Sequence, residues 1–345
     1  MFEFQRYDDE RLRVAINLQD AYTAWVEVER DIRAHTGRMV WKQISGRSYL
    51  YHVYGNVGHG RSLGPHSEDT QARYERFQEG KERARARLTD TAAALETHAR
   101  LYRALRLPLI NSQAAAILRE ADVQAVLGRD VMVVGTTVLA AYQLEATARF
   151  VGAPESTADF DLAWTAEHTP DEPVLWPVLK AVDDTFTVNT ERPFQARNSK
   201  SDEVELLVGP ARIATLRREP MRPVNLREQD WLLNGRTVDH VVCGLDGRPA
   251  RIVAPDPRWF ALQKAWLSLQ DKRSPLKRPK DARQAAIVWQ AIRELMPQYP
   301  IDAEFAAAVS DELHDAHHRV LDEHAMVADA PDDDAKPHRN DPGMH

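Results

Sequence analysis

The segment from Val131 to Trp164 limits the fold of this chain more than any other part of the sequence. It opens with an apolar run, VMVV, and continues through Gly135 into TTVLAAYQLEA, which has the composition of a helix. After a short loop, a second strand-like run, DFDLAW, begins at Asp159. Strand, glycine turn, helix and strand in this order predict an α/β fold in which the ends of two strands lie side by side.

The second of these strands carries two carboxylates, Asp159 and Asp161. Because side chains alternate between the two faces of a strand, both point to the same face. Carboxylates at that spacing repel each other unless a cation lies between them, and ligation by oxygen alone suits Mg²⁺. Gly135 allows a ligand to approach the backbone, and the amides at Thr136, where a helix starts, favour an anion. A phosphate site beside a metal site indicates nucleotide chemistry.

Each of these signals also has a simpler interpretation when it stands alone. Asp-x-Asp on a strand is more often part of a solvated face. Gly135 followed by Thr136 is also compatible with an ordinary turn capped by the threonine. The nucleotide interpretation therefore depends on their combination.

The composition and charge of this chain of 345 residues indicate its cellular compartment. Its one cysteine, Cys243, excludes an internal disulfide and a cysteine-based zinc site, which fits a reducing cytoplasm. The first residues are polar and charged, unlike a signal peptide, and no apolar run approaches the ~20 residues of a membrane helix. We therefore expect a cytoplasmic protein without a membrane partner. The net charge of −7 argues against broad nucleic-acid binding but leaves room for a local basic groove.

Pattern changes along the chain predict four regions. Residues 1–106 contain a helix, a hairpin around Ser45-Gly46 and a long charged helix beginning after Ser67. Residues 107–215 alternate helices and strands. Residues 216–325 contain a hairpin with the turn Leu245-Asp246-Gly247 and helices at about 257–270, 280–296 and 303–325. Residues 326–345 are rich in Asp and Pro, which predicts disorder.

Four stretches, in order, resemble one known group of proteins. They are GRSYLYHVYG…RSLGPHSEDTQARYERF, VVGTTVLAAYQLEA…STADFDLAW, VELLVGP and APDPRWFALQKAWLS…KRPKDARQAAIV. The second resembles the core signature of the nucleotidyltransferase superfamily with the DNA polymerase β-type palm. The series as a whole, over roughly residues 35 to 295, is similar to the bacterial GSU2403-like family of nucleotidyltransferase-fold proteins. The resemblance implies an α/β (α+β) fold: a polymerase β-like palm with a mixed sheet, an N-terminal α+β extension and a C-terminal helical region.

The resemblance also implies a set of site residues. Asp159 and Asp161 would bind Mg²⁺ or Mn²⁺, with Glu205 as a third ligand or base where the superfamily usually has Asp. Gly135 and Thr136 would hold the phosphates of the NTP substrate. Lys264, on a largely apolar segment, would contact the triphosphate.

The implied activity is transfer of a nucleoside monophosphate from an NTP to a hydroxyl group. RNA ends, a protein side chain and a small molecule all fit as the acceptor. Two alternatives stay open: a catalytically silent palm that binds a nucleotide or RNA, for which Glu205 is the clue, and a toxin-like enzyme acting on tRNA. Oligomeric state is not predicted.

A second candidate patch lies in the N-terminal hairpin region, at Tyr49, Tyr51, Arg61 and Ser62. The two tyrosines are two positions apart, so on a strand they share a face and can stack on a base. The alternative is that they pack on the long helix after Ser67.

Overall fold

The computed structural model describes residues 2–54, 60–154 and 159–322. They form two compact units. The large unit contains the described residues of Gln5–Arg149 and Glu155–Asp256, and the small unit contains those of Met1–Phe4, Phe150–Pro154 and Pro257–His345. The predicted disordered tail, 326–345, lies outside the described residues.

The described chain is a mixture of strands and helices, which confirms the mixed α/β class. The strands are β1 (Phe4–Arg6), β2 (Arg38–Ile44), β3 (Arg47–Val53), β4 (Gly60–Pro65), β5 (Leu109–Ile110), β6 (Val131–Val134), β7 (Ala148–Phe150), β8 (Asp159–Trp164), β9 (Thr187–Val188), β10 (Gln195–Arg197), β11 (Glu203–Leu207), β12 (Val238–Gly244) and β13 (Pro249–Ala254). The helices are α1 (Asp9–Ala34), α2 (Glu68–Ala104), α3 (Ser112–Val123), α4 (Leu139–Glu145), α5 (Leu175–Val182), α6 (Glu228–Trp231), α7 (Pro257–Ser268), α8 (Arg278–Leu295), α9 (Ala303–Ala308) and α10 (Asp311–Ala316). None of the helices in this part of the chain is long and apolar enough to cross a membrane.

A five-stranded mixed sheet in the large unit carries the predicted site, with the strand order β6-β8-β11-β10-β9. β8 pairs antiparallel with β6 and parallel with β11. In β8 and β11, apolar positions alternate with polar ones. Their apolar residues are therefore buried on one face of the sheet: Phe160, Leu162, Val204 and Leu206. Burial of that face fixes the register of both strands and holds their polar side chains on the opposite face.

A three-stranded antiparallel sheet, β2-β3-β4, and the long helix α2 follow α1 in the same unit. The predicted hairpin around Ser45-Gly46 is confirmed, and so is the start of α2, where the Ser67 side chain accepts from the Thr70 amide. β4 is an addition to the prediction. Its glycines and proline (GRSLGP) have low strand propensity, which is why its sequence does not predict a strand.

A second three-stranded sheet of the large unit, β13-β12-β5, confirms the hairpin predicted at the Asp246-Gly247 turn. Cys243 lies on β12 and is 0% exposed. Burial raises the pKa of its thiol to about 12, above its ordinary value of 9.0. The thiol is therefore protonated and inert in the folded chain.

In the small unit, α7 and α8 confirm the helices expected at about 257–270 and 280–296. The single helix expected over 303–325 is wrong. Val309 adopts an extended conformation and separates α9 from α10, after which the chain forms a π-helical stretch, His317–Asp322. Ser310, whose backbone is also extended, is the N-cap residue of α10.

Candidate functional site

Four carboxylates share one face of the mixed sheet, and we call this set the carboxylate face: Asp159, Asp161, Glu203 and Glu205. In the parallel pairing of β8 and β11, Asp159 lies opposite Glu203 and Asp161 lies opposite Glu205. Neighbouring strands are about 4.8 Å apart, so these pairs bring like charges close together. All four are partly exposed, while the residues between them are buried. The sequence prediction that Asp159 and Asp161 point to the same face of one strand is confirmed, and the pairing with β11 adds Glu203 and Glu205 to that face.

Gly135 lies directly against the carboxylate of Asp161. It follows β6, in which Val134 pairs with Asp161, and its φ is +70°. A Cβ built on Gly135 would lie 2.1 Å from Asp161 Oδ2, a distance no real side chain tolerates. Glycine therefore suits this position for two reasons: L side chains rarely adopt this backbone conformation, and a Cβ would have to displace the Asp161 carboxylate.

A buried amide, Gln195, holds the two glutamates of this face. Its Nε2 donates to Glu203 Oε2 at 3.0 Å and to Glu205 Oε1 at 3.2 Å. Its Oε1 accepts from Asn189 Nδ2 at 2.7 Å, and Asn189 Oδ1 in turn accepts from the amides of Glu191 and Arg192. This chain of bonds fixes the orientation of both amides, so the NH₂ group of Gln195 faces the carboxylates.

Glu203 and Glu205 differ in their other neighbours. Arg197 Nη2 lies 2.7 Å from Glu203 Oε1, so an arginine neutralises Glu203. Glu205 lies opposite Asp161, whose carboxylate contacts Gly135. Of the two glutamates, Glu205 is therefore the one placed beside the glycine turn.

The side chains that would hold a divalent metal ion are those of Asp159, Asp161 and Glu205. Their donors fit Mg²⁺ or Mn²⁺, because all are hard carboxylate oxygens and none is sulfur or imidazole. Across residues 2–54, 60–154 and 159–322, no group of three His, Cys, Asp or Glu side chains is already arranged around one metal position. The ligand set stays a prediction.

The turn after Gly135 differs from the α-helix expected from Thr136. Residues Gly135–Val138 form a 3₁₀ helix, and α4 begins only at Leu139. Three β-branched residues in a row, TTV, disfavour the α-helix, and the tighter 3₁₀ turn accommodates them. Thr136 is buried, and the 3₁₀ helix has no side-chain cap. The assignment of Gly135 and Thr136 to phosphate binding stays a prediction.

Lys264 lies on α7 in the small unit and already contacts an anion. Its Nζ donates to Asp281 Oδ1 at 2.9 Å, and Arg273 Nε donates to Asp281 Oδ2 at 2.7 Å. The side chains of Lys264 and Asp281 are only 7% and 2% exposed. An ammonium group has three donors, and this ion pair uses one of them. The resemblance assigns Lys264 to the triphosphate. That role stays a prediction.

Gln195 and Asn189 are the site residues that sequence reasoning missed. Gln195 pairs with Glu205 across β10 and β11, and its side chain is nearly fully buried. Buried amides are uncommon without a hydrogen-bonding role. A glutamine in a short strand gives no sign of that role until the register is known.

Comparisons with known proteins place the chain in a family. A family described as nucleotidyltransferase matches residues 112–310, which is more than half of the chain. No curated protein matches the chain. A solved structure that the chain is similar to is an antigenic nucleotidyltransferase-like protein from Paracoccidioides brasiliensis, with 14% sequence identity and a TM-score of 0.36 over 64% of this chain and 93% of that chain.

Proposed function

Because the chain belongs to the nucleotidyltransferase family, we propose that it transfers a nucleoside monophosphate from an NTP to a hydroxyl-bearing acceptor, with Mg²⁺ or Mn²⁺ as the cofactor. The acceptor oxygen forms a bond to the α-phosphorus while the bond to pyrophosphate breaks. The observation that carries the proposal is the meeting of Gly135, Asp161 and Glu205 at neighbouring strand positions.

Each residue has a defined role in this proposal. Asp159 and Asp161 hold the metal ion, and Glu205 is the third ligand or accepts the proton of the acceptor hydroxyl. A bound divalent ion lowers the pKa of such a hydroxyl and offsets the charge of the triphosphate. Gly135 and Thr136 seat the phosphates, and the family resemblance assigns Lys264 to the triphosphate.

Two finer points belong to the same proposal. The mixed sheet, with Asp159 and Asp161 on one strand and Glu205 on its neighbour, supports a polymerase β-like palm. The four quoted stretches support the narrower GSU2403-like resemblance. An RNA end, a protein side chain and a small molecule all fit as the acceptor.

Calorimetric titration with a non-hydrolysable NTP tests the metal site. We expect Mg²⁺ or Mn²⁺ to increase NTP affinity in the wild type and Asp161→Asn to abolish that gain. Asp202→Asn, a change of the same type outside the carboxylate face, is the control. Equal, metal-independent binding by all three proteins contradicts the proposal.

Substitution of each of two neighbouring glutamates, Glu205 and Glu203, tests the catalytic role of Glu205. Glu205→Gln should keep NTP binding and reduce turnover by roughly a hundredfold or more, as expected when a base or metal ligand is lost. Glu203→Gln is a close control, because it lies on the same strand and face and also bonds Gln195. Turnover is measured as pyrophosphate release with labelled NTPs and a cell extract, and the labelled product identifies the acceptor. Equal losses in the two variants contradict a special role for Glu205.

The catalytically silent alternative has one observation in its favour. Glu205 is a glutamate where the superfamily usually has Asp, and Gln195 holds its carboxylate. A wild type that binds NTP with metal but releases no pyrophosphate with any NTP and acceptor pool supports a nucleotide-binding protein. Labelled tRNA among the products supports the toxin-like alternative instead.

A further inference from the structure

A long acid-free segment lies near the start of an acidic chain. The chain has 52 Asp and Glu residues and a net charge of −7, yet residues 32–67 contain neither Asp nor Glu. The same segment contains five Lys and Arg residues. It forms β2, β3 and β4, so these strands carry positive charge only.

The two faces of this small sheet have different neighbours. Met39 and Leu50 form a buried cluster with Phe77 of α2, and Trp41, Leu63 and Tyr74 pack against it. Helix α2 therefore covers the face that contains Leu50. Tyr49 and Tyr51, on either side of Leu50, point to the opposite face.

We call that opposite face the tyrosine face; it includes Arg38, Val40, Lys42, Ile44, Arg47, Tyr49, Tyr51 and Ser62, and Val53, which is buried, lies at its end. Its members share a side because Val40 pairs with Tyr51, Lys42 with Tyr49 and Ser62 with Tyr51. Lys42 Nζ lies 4.8 Å from the centre of the Tyr51 ring, which confirms that these side chains meet. The alternative in which the tyrosines pack on the long helix is wrong. Arg61 pairs with His52, which contacts Phe77, so Arg61 belongs to the other face.

The cations of the tyrosine face lack acidic partners. Arg38, Lys42 and Arg47 are exposed. In the part of the chain that the structure describes, none of the three has a carboxylate within ion-pair distance. Their positive charge is therefore available to an anion in solution.

We propose that the tyrosine face binds a single strand of RNA, with bases stacked on Tyr49 and Tyr51 and phosphates contacted by Arg38, Lys42 and Arg47. Positions two apart on a strand are separated by about 7 Å along the backbone, a spacing that suits successive nucleotides of an extended strand. Aromatic rings on a sheet flanked by cations are the means by which single strands are bound without base pairing. RNA binding at this surface does not depend on the proposed activity. The further step, that the bound strand is also the acceptor, rests on the proposed function.

Charge and hydrogen bonding select this occupant among others. A second copy of this chain would place the cations of one tyrosine face against those of another, which is unfavourable. A duplex hides the faces of its bases and offers nothing for the tyrosines to stack on. The exposed hydroxyl of Ser62, opposite Tyr51, is a partner for a ribose 2′-OH, which DNA lacks.

Fluorescence anisotropy with a short labelled single-stranded RNA at low salt tests the proposal. We use full-length Asp161→Asn without NTP as the background, so loss of RNA binding and loss of nucleotidyl transfer are separate results. Tyr49→Ala with Tyr51→Ala should weaken binding roughly 5- to 100-fold, and Tyr49→Phe with Tyr51→Phe should retain it because the rings remain. DNA of the same sequence and duplex RNA should bind more weakly than the single-stranded RNA.

Charge variants keep the test valid if the alanine variant folds poorly. Lys42→Gln and Arg47→Gln change exposed residues, and each should reduce the slope of log affinity against log salt by about 0.7. Arg13→Gln, which changes an arginine paired with Glu10 on α1, is the matched control and should leave the slope unchanged. Equal slopes for all three variants overturn the proposal, as does equal affinity for RNA and DNA. A wild type that dimerises through Tyr49 and Tyr51 and ignores RNA shows instead that the face joins two copies.

Discussion

At the scale of single residues, Gly135 carries the strongest constraint in the site. It combines a left-handed backbone conformation with a carboxylate oxygen lying where a side chain would begin. Gly46, in the β2–β3 turn, shares the conformation at φ +76° but has nothing within 4 Å of the position that a Cβ would occupy. The two glycines therefore separate the backbone effect from the contact with Asp161.

Gly135→Ala should destabilise the large unit by clearly more than Gly46→Ala. The backbone term costs about 1–2 kcal/mol in both. Only Gly135→Ala must also displace Asp161, which adds roughly 1–3 kcal/mol of overpacking. Urea unfolding of the two variants gives the difference. Equal losses of stability would mean that Asp161 moves aside freely and that the contact does not constrain the site.

At the scale of elements, the buried Asp281 links α7 to α8. Burial raises the pKa of its carboxyl, but the charges and hydrogen bonds of Lys264 and Arg273 outweigh burial, and the pKa lies below its ordinary value of 3.8. The folded small unit thus binds this proton less readily than the unfolded chain. The resulting stability is present above the ordinary carboxyl pKa and is lost as the pH falls through the lowered one.

Lys264→Met should lower the free energy of unfolding of the small unit by about 2–4 kcal/mol, because it leaves a buried carboxylate with Arg273 alone. Lys272→Met, at an exposed position of the following loop, should change it by less than about 0.5 kcal/mol. Adding Asp281→Asn to Lys264→Met should recover part of the loss. If the two lysine variants unfold alike in urea, the ion pair does not stabilise the unit.

Elements with a strong periodic signal and a cap were predictable from sequence alone. α2 is an example, since Ser67 and the acidic residues after it mark its start. β4 was not, because its glycines and proline give no strand signal and only pairing with β3 makes it one. In the site, alternation placed Asp159 and Asp161 correctly. The bonds from Gln195 depend on the register of β10, which no local pattern encodes.

At the scale of the whole molecule, buried groups make the large unit sensitive to alkali. Burial raises the pKa of Tyr22 and Tyr102 well above the ordinary value of 10.0, and it raises that of Cys243 to about 12. For each group the folded chain keeps its proton to higher pH than the unfolded chain does. Stability is therefore complete below the ordinary pKa values and falls as the pH rises past them.

The free energy of unfolding of the large unit should decline above pH 9, and Cys243→Ala should flatten that decline. One group contributes at most about 1.4 kcal/mol per pH unit between its unfolded and folded pKa values. Denaturant unfolding of both proteins between pH 8 and about 10 measures the difference. In this interval the thiol of the unfolded chain titrates, while most of the tyrosine titration lies at higher pH. Parallel curves for wild type and variant would show that the thiol is not the titrating group.

The isolation of Cys243 has a practical consequence for the search for ligands. With one thiol in the chain, hidden inside β12, an alkylating reagent reacts only when the β13-β12-β5 sheet opens. The rate at which Cys243 is alkylated then reports how often that sheet opens. Any molecule that binds only the closed large unit lowers this alkylation rate, and the fractional decrease equals the fraction of the protein that is occupied. NTPs, metal ions and oligonucleotides can thus be ranked by mass spectrometry on the unmodified protein, before any reaction product is known.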